Sequence, residues 1–308
     1  MDCPKCGLPR PEVAAECPRC GVVFGKWEST RQAPPPRRES AAGLILETVE
    51  DGRLGRQVVV LLAGGLGAAL LVYLLPFTRF VLSTIVILFH ELGHTVASWL
   101  LGHPAIPAFD FVYGGGFTHE HAFQLPIALI IAGAMFWLGY VFRRNPRTLV
   151  VIGVVFGLWL VAVTAGWRRE LVIASAGHLG EIALTATFFY MVLANVGWRV
   201  PEVERGLGAF VAFFVQINVI HFAWRLGHDQ AFLDWYLAGK GGALMNDLVA
   251  ISLDLHIWLG VSPSVEDLAG WMLVLSLLPL PLAFLAYRYR RGVYRVTSTL
   301  LVIEPSRG

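Results

Sequence analysis

Two histidines four residues apart with a carboxylate between them, Phe89-His90-Glu91-Leu92-Gly93-His94, are the residues of this chain best spaced for chemistry. On a helix His90 and His94 share a face, because residues four apart stand one turn above another. Both imidazoles can then reach one tetrahedral metal. Glu91, one residue further round, is placed to act on a water rather than on the metal. A zinc so held lowers the pKa of its water to about 7 and polarises a carbonyl, while the Glu takes the water's proton and passes it to a leaving amine. From Phe80 to Leu101 the only ionisable side chains are His90, Glu91 and His94. Titratable groups inside an apolar run are costly, and function is the usual reason for them. The bland alternative is a His pair that only hydrogen-bonds to its neighbours.

The elements that must position these residues belong to a chain of 308 residues, 56% hydrophobic and 15% charged, with a formal net charge of +2. Soluble domains carry about 25% charge, so this composition describes a chain mostly embedded in lipid. Apolar runs near the roughly 20 residues that a bilayer requires fall at 57–77, 80–101, 125–142, 149–166, 171–197, 207–224 and 269–287. An eighth, 242–261, is interrupted by Asn246, Asp247, Asp254 and His256. The expected fold class is an all-α polytopic membrane protein of about seven to eight transmembrane helices, multi-pass in the cell (inner) membrane and surrounded by the lipid bilayer. If the eighth run crosses, Arg288, Arg290, Arg291 and Arg295 return to the cytoplasm while Arg143, Arg144 and Arg147 face outward, against the positive-inside rule. The polar, Cys-rich start shows no cleavable signal peptide.

That start reads Cys3-Pro-Lys-Cys6-Gly and repeats as Cys17-Pro-Arg-Cys20-Gly, using all four cysteines. Two Cys-x-x-Cys knuckles at this spacing read as a zinc ribbon, a closed four-thiolate site that holds structure and activates no water. The competing reading, a redox dithiol or disulfide pair, lacks a thioredoxin-like strand and helix around it. Reduced thiolates imply a cytosolic face, and a ribbon of about two dozen residues cannot bury a core without its metal. It offers a docking surface to a protein partner; with no basic helix or aromatic platform, nucleic acid is not the favoured choice. Residues 26–56, with Pro34-Pro35-Pro36-Arg37-Arg38, form a linker stiffened by proline, whose Arg residues favour a cytoplasmic N-terminus. The domains are thus 1–25 ribbon, 26–56 linker, 57–292 membrane domain and 293–308 C-terminal tail.

After the His-Glu run, Phe109, Phe111 and Tyr113 alternate in period two and Gly114, Gly115 and Gly116 follow. This suggests a short hairpin or re-entrant loop, tolerated at membrane depth only where protein or water covers it. Its edge could accept a substrate segment as an added strand; the alternative is an aromatic interfacial loop. A catalytic zinc wants a third protein ligand. Asp247, beside Leu244, Met245, Leu248 and Val249, needs a partner or a metal to be there. Glu181 is its rival, three residues after His178 on one helical face. A third reading makes Asn246 or Asp247 a helix cap. His178 either hydrogen-bonds within the bundle or supports a transition-state oxyanion, and Asn246 offers an amide to an extended substrate backbone.

The Phe89–His94 stretch in an apolar run, followed by Ala97, Leu100-Leu101-Gly102 and a Gly-rich loop, resembles the site-2-protease-like zinc intramembrane metallopeptidases, especially their small multi-span bacterial branch. Ala176-Gly177-His178-Leu179-Gly180 is similar to that branch's Ala-Gly-x-x-Gly segment, which packs close to the catalytic helix. The resemblance implies His90 and His94 as zinc ligands, Glu91 as general base, and as third ligand an Asp often preceded by Asn, which falls on Asp247. Leu248 departs from the commoner form, which has Gly there. The function implied is a zinc-dependent endopeptidase acting on transmembrane protein substrates, with one catalytic and one structural Zn2+. Two readings of other classes stay open: a catalytically silent scaffold that binds membrane proteins, and a metal transporter, against which stands the lack of an internal repeat.

Overall fold

In an apolar medium each backbone N–H and C=O must find its partner within its own segment, which a helix achieves. The computed structural model turns the apolar runs into helices in this way, and it describes residues 2–3, 5–9, 15–25, 52–110, 115–239 and 246–301. The chain divides into two units, Met1–Val49 and Glu50–Gly308. In the second unit the order is α1 (Arg56–Leu74), α2 (Pro76–Leu100), β1 (Ala105–Asp110), β2 (Gly115–Glu120), α3 (Leu125–Val141), α4 (Pro146–Thr164), α5 (Gly166–Ala194), α6 (Pro201–His228), α7 (Gln230–Leu237), α8 (Asp247–Leu259), α9 (Val265–Ser276), α10 (Pro279–Arg288) and α11 (Arg290–Leu301). Proline opens α2, α4, α6 and α10, where its missing N–H leaves no helical bond unmade.

Among the described residues six helices are long and apolar enough to cross a membrane, counting α9 and α10 as one, and α3 is a shorter apolar helix. The protein is therefore a multi-pass membrane protein. The break between α9 and α10 leaves carbonyls without helical donors; the Gln216 amide donates to that of Ser276 at 3.0 Å. Helices α3 and α4 bury only Ala128 and Thr148. Ile130, Phe136, Val150 and Leu158 project outward, a surface fit for lipid rather than water.

Among the described residues the eighth run forms no helix long enough to cross a membrane. Its described part is α8, whose 13 residues reach about 20 Å, short of the ~30 Å hydrocarbon core. Leu226 near the end of α6 and Val265 and Leu268 at the start of α9 share one apolar cluster with Leu233, Leu248 and Ile251. The chain between α6 and α9 thus returns to the end it left. A second expectation changes with it. Asn145 Nδ2 donates to the Thr299 carbonyl at 2.7 Å and the Thr148 hydroxyl to that of Leu300, so the turn with Arg143, Arg144 and Arg147 shares one end of the bundle with the helix carrying Arg290, Arg291 and Arg295. The Tyr287 hydroxyl donates to the Arg53 carbonyl at 3.2 Å, bringing the start of the bundle to the end of α10. The stretch from 293, expected as a tail, is helical as far as Leu301.

The bundle is not purely helical. Strands β1 and β2 pair antiparallel from Ala105↔Glu120 to Asp110↔Gly115, the hairpin the aromatic alternation suggested; Phe111, Tyr113 and Gly114 lie outside the described residues. Helices α2 and α5 run closely together. A Cβ on Gly177 would strike His94 Nε2 and come within 2.6 Å of His90 Cε1, and one on Gly180 would stand 2.8 Å from Gly93 Cα. The Ala-Gly-x-x-Gly segment is what lets α5 lie on the His-bearing face of α2.

Candidate metal centre and its cavity

His90 and His94 project from consecutive turns of α2 with ring centroids 4.7 Å apart. Asp247, first residue of α8, comes between them: its Oδ2 is 2.8 Å from His90 Nε2 and 3.1 Å from His94 Nε2, and the two Nε2 atoms are 3.1 Å apart. The edges of a zinc tetrahedron with bonds of 2.0–2.1 Å are about 3.3 Å, so the triangle is close to one face of it. The proton inventory points the same way. His94 Nδ1 donates to the Ile173 carbonyl at 2.7 Å, and Glu181 Oε1 lies 3.6 Å from His90 Nδ1. With each ring proton on Nδ1, two lone pairs and a carboxylate oxygen face one another, an arrangement that a cation relieves. The donor set fits a divalent metal.

Glu181 is turned to the rear of the site rather than into it. It is 5% exposed, and besides facing His90 it accepts the Nδ1 proton of His178 at 3.0 Å. His178 stacks edge-on to His90 with centroids 4.5 Å apart; His90, His178 and Asp247 each offer an atom within 4.8 Å of the others. Asn246 is the residue before α8, yet its side chain makes no cap; it donates instead to the Tyr236 carbonyl. The Tyr236 hydroxyl accepts from the Leu248 amide at 3.2 Å, so Tyr236 holds the start of α8 at two points.

Glu91 is 4% exposed and accepts the Thr118 hydroxyl on Oε2 at 2.7 Å. Gly116, on the same face of β2, leaves the space that Glu91 fills: a Cβ there would be 2.5 Å from Oε1. A cavity of about 620 Å³ joins these groups, lined by His90, Glu91, His94, His178 and Asp247, by Gly115, Gly116 and Thr118 of β2, by Asn246, and further on by Arg79, His221 and Arg225. Arg79 Nη2 lies 3.4 Å from His221 Nδ1 and Arg225 is bonded to Asp229 at 2.6 Å. Sequence reasoning missed Thr118, Tyr236 and Arg79. The first two carry no charge or spacing that marks them, but Arg79 was a charge at the edge of an apolar run and so a readable signal.

In the N-terminal unit Cys3 Sγ is 3.6 Å from Cys20 Sγ and Cys6 Sγ is 3.6 Å from Cys17 Sγ, with all four sulfurs mutually within 4.8 Å. Disulfides need about 2.05 Å; a Zn–S tetrahedron has edges of about 3.8 Å. The knuckles repeat each other's turns, Gly7 N–H to the Cys3 carbonyl at 2.9 Å and Gly21 N–H to that of Cys17 at 2.8 Å. Phe24 closes the small core over Cys3 and Cys17. Burial disfavours the Cys3 thiolate, but the amides of Lys5 and Cys6 and the neighbouring thiols outweigh it and lower its pKa to about 6. At Cys20 the Val22 amide favours the thiolate, while burial and the other three sulfurs push it up to about 12. Four sulfurs this close cannot all ionise without a cation among them.

Comparison with protein-family models, with curated proteins and with solved structures returns no match.

Proposed function

We propose that the protein is a zinc-dependent intramembrane endopeptidase. The observation that carries this reading is the meeting of His90, His94 and Asp247 at separations of 2.8–3.1 Å, with Glu91 on the wall of the same cavity. Zinc held by these three would supply Lewis acidity toward a carbonyl and acidify a water. Glu91, with Oε2 engaged by Thr118, keeps Oε1 to accept a proton from water and deliver it to the leaving amine. Glu181 holds His90 and His178 from behind, and the His178 ring stands beside the place where the carbonyl oxygen of a bound substrate would gather charge. The cavity admits the water that hydrolysis consumes. Strand β2 lines it, so a transmembrane substrate laid along that edge as a third strand would be unwound for cleavage. The end that gathers Arg143–Arg147 and Arg290–Arg295 is assigned to the cytoplasm, and the ribbon to a protein partner there.

The test is metal content and cleavage for wild type beside Glu91→Gln. The amide cannot take the proton, so the variant should keep its metal and lose roughly 10²–10⁴ in kcat. Comparable cleavage by the variant removes Glu91 as base. His178, within 4.8 Å of His90 and Asp247, favours a second reading: as a fourth protein ligand it would close the site and make the protein a silent metal-holding scaffold. X-ray absorption on the loaded protein separates the two, since an oxygen from solvent in the metal's shell belongs only to the open site.

A further inference from the structure

Strand β2 lies along the helix that carries the His-Glu motif, and three residues of one strand face meet it in turn. Gly116 sits against Ile87 and Glu91, Thr118 donates to Glu91 Oε2 at 2.7 Å, and Glu120 Oε2 accepts from Ser98 Oγ at 3.0 Å. Ile87, Glu91 and Ser98 follow one stripe of α2. The other oxygen of Glu120 lies 2.9 Å from His103 Nδ1, an ion-pair contact. His103 is 5% exposed, and its Nε2 is buried with no partner. His103 Nδ1 donates to the His121 carbonyl at 3.1 Å, which turns the ring toward Glu120. The Ser98 hydroxyl of α2 and the His103 ring of the turn after it thus converge on one carboxylate of β2, and hydrogen bonds to an ionised acceptor are about twice as strong as neutral ones.

We propose that Glu120 is a positioning residue: gripped by Ser98 and His103, it pins β2 to α2 and so keeps the Thr118 hydroxyl on the carboxylate of Glu91. The proposal rests on the reading of Glu91 as general base and adds the device that aims it. The ladder with β1 fixes the register of β2, but a hairpin that loses its hold on α2 at Glu120 can swing away from the helix. Thr118 would then turn from Glu91, leaving that carboxylate free to rotate.

The full-length protein in nanodiscs is compared with Glu120→Ala, Glu120→Gln and Ser98→Ala. Hydrogen exchange across 105–120 needs no substrate. In Glu120→Ala the hairpin amides should exchange roughly tenfold faster, the worth of one charge-assisted bond, with α5, α6 and metal content unchanged. Ser98→Ala should show part of that effect, and Glu120→Gln, which still accepts the Ser98 hydroxyl, should recover part of the protection. Unaltered hairpin exchange in Glu120→Ala overturns the proposal whatever the protein hydrolyses. On any peptide that wild type cleaves and Glu91→Gln does not, Glu120→Ala and Thr118→Ala should each lower kcat by a similar factor at unchanged KM, and the double variant should be no slower than either, since both remove one restraint. A loss confined to KM, or one that multiplies in the double variant, also overturns it. If wild type cleaves nothing, the peptidase reading fails, and the exchange result still decides whether Glu120 pins the hairpin.

Discussion

His90 and His94 meet Asp247 through Nε2 because their other nitrogens are engaged, one by the Ile173 carbonyl and one by Glu181. Glu181→Gln keeps the shape and removes the charge behind the rings. Metal affinity should fall roughly 10- to 100-fold, the usual worth of such a supporting carboxylate, in competition with a chelator and with helicity intact. Affinity equal to wild type would show that Glu181 does not orient His90. This residue also marks how far single letters carry. That His90 and His94 face one metal follows from four-residue spacing, and that Asp247 needs a partner follows from its apolar neighbours. Which of Glu181 and Asp247 lies in front of the imidazoles and which behind depends on ring orientation, and spacing along a helix is blind to that. Thr118 and Ser98 gave no signal, because their partners Glu91 and Glu120 lie 27 and 22 residues away in sequence and a lone hydroxyl residue does not reveal such a contact.

At the scale of elements, α2 and α5 touch through glycine, and a methyl group on Gly177 would press on His94 Nε2 and His90 Cε1. Overpacking of this kind costs about 1–3 kcal/mol, and here the strain falls on ring atoms. Gly177→Ala should therefore remain helical by circular dichroism and bind its intramembrane metal more weakly. Gly157→Ala in α4, where nothing stands within 4 Å, should change neither. Equal metal affinity in both variants would show that the contact between α2 and α5 does not shape the site. Of the seven clear runs, six were legible as helices of spanning length because apolar length is what a bilayer selects; 125–142 formed the shorter apolar helix α3. The eighth run was ambiguous because a segment that turns back inside protein and one that crosses lipid have similar composition. The α6–α9 cluster decides between them, and such contacts lie far apart in sequence.

At the scale of the whole molecule, the two sets of metal-binding groups belong to separate units of the chain. Replacing Cys3 and Cys6 together by Ser should lower bound zinc from about two equivalents to about one, with the thermal transition of the helices unmoved, because the ribbon's metal folds only the ribbon. Collapse of the helical signal in that variant would count against a separable ribbon.

The cavity that joins the site to Arg79 and Arg225, about 620 Å³, corresponds to on the order of twenty water molecules at liquid density. A ligand that fills it must send most of that water back to the bulk, so its binding becomes sensitive to osmotic pressure. Binding of a non-cleavable peptide to the Glu91→Gln protein should tighten steadily as sucrose or a larger polyol, excluded from the cavity, is added; the dependence should weaken as the peptide is shortened to fill less of the space. A dissociation constant indifferent to osmolality would place the peptide outside the cavity. Osmolality thus becomes a control on the occupancy of this site that acts through neither metal nor protein charge.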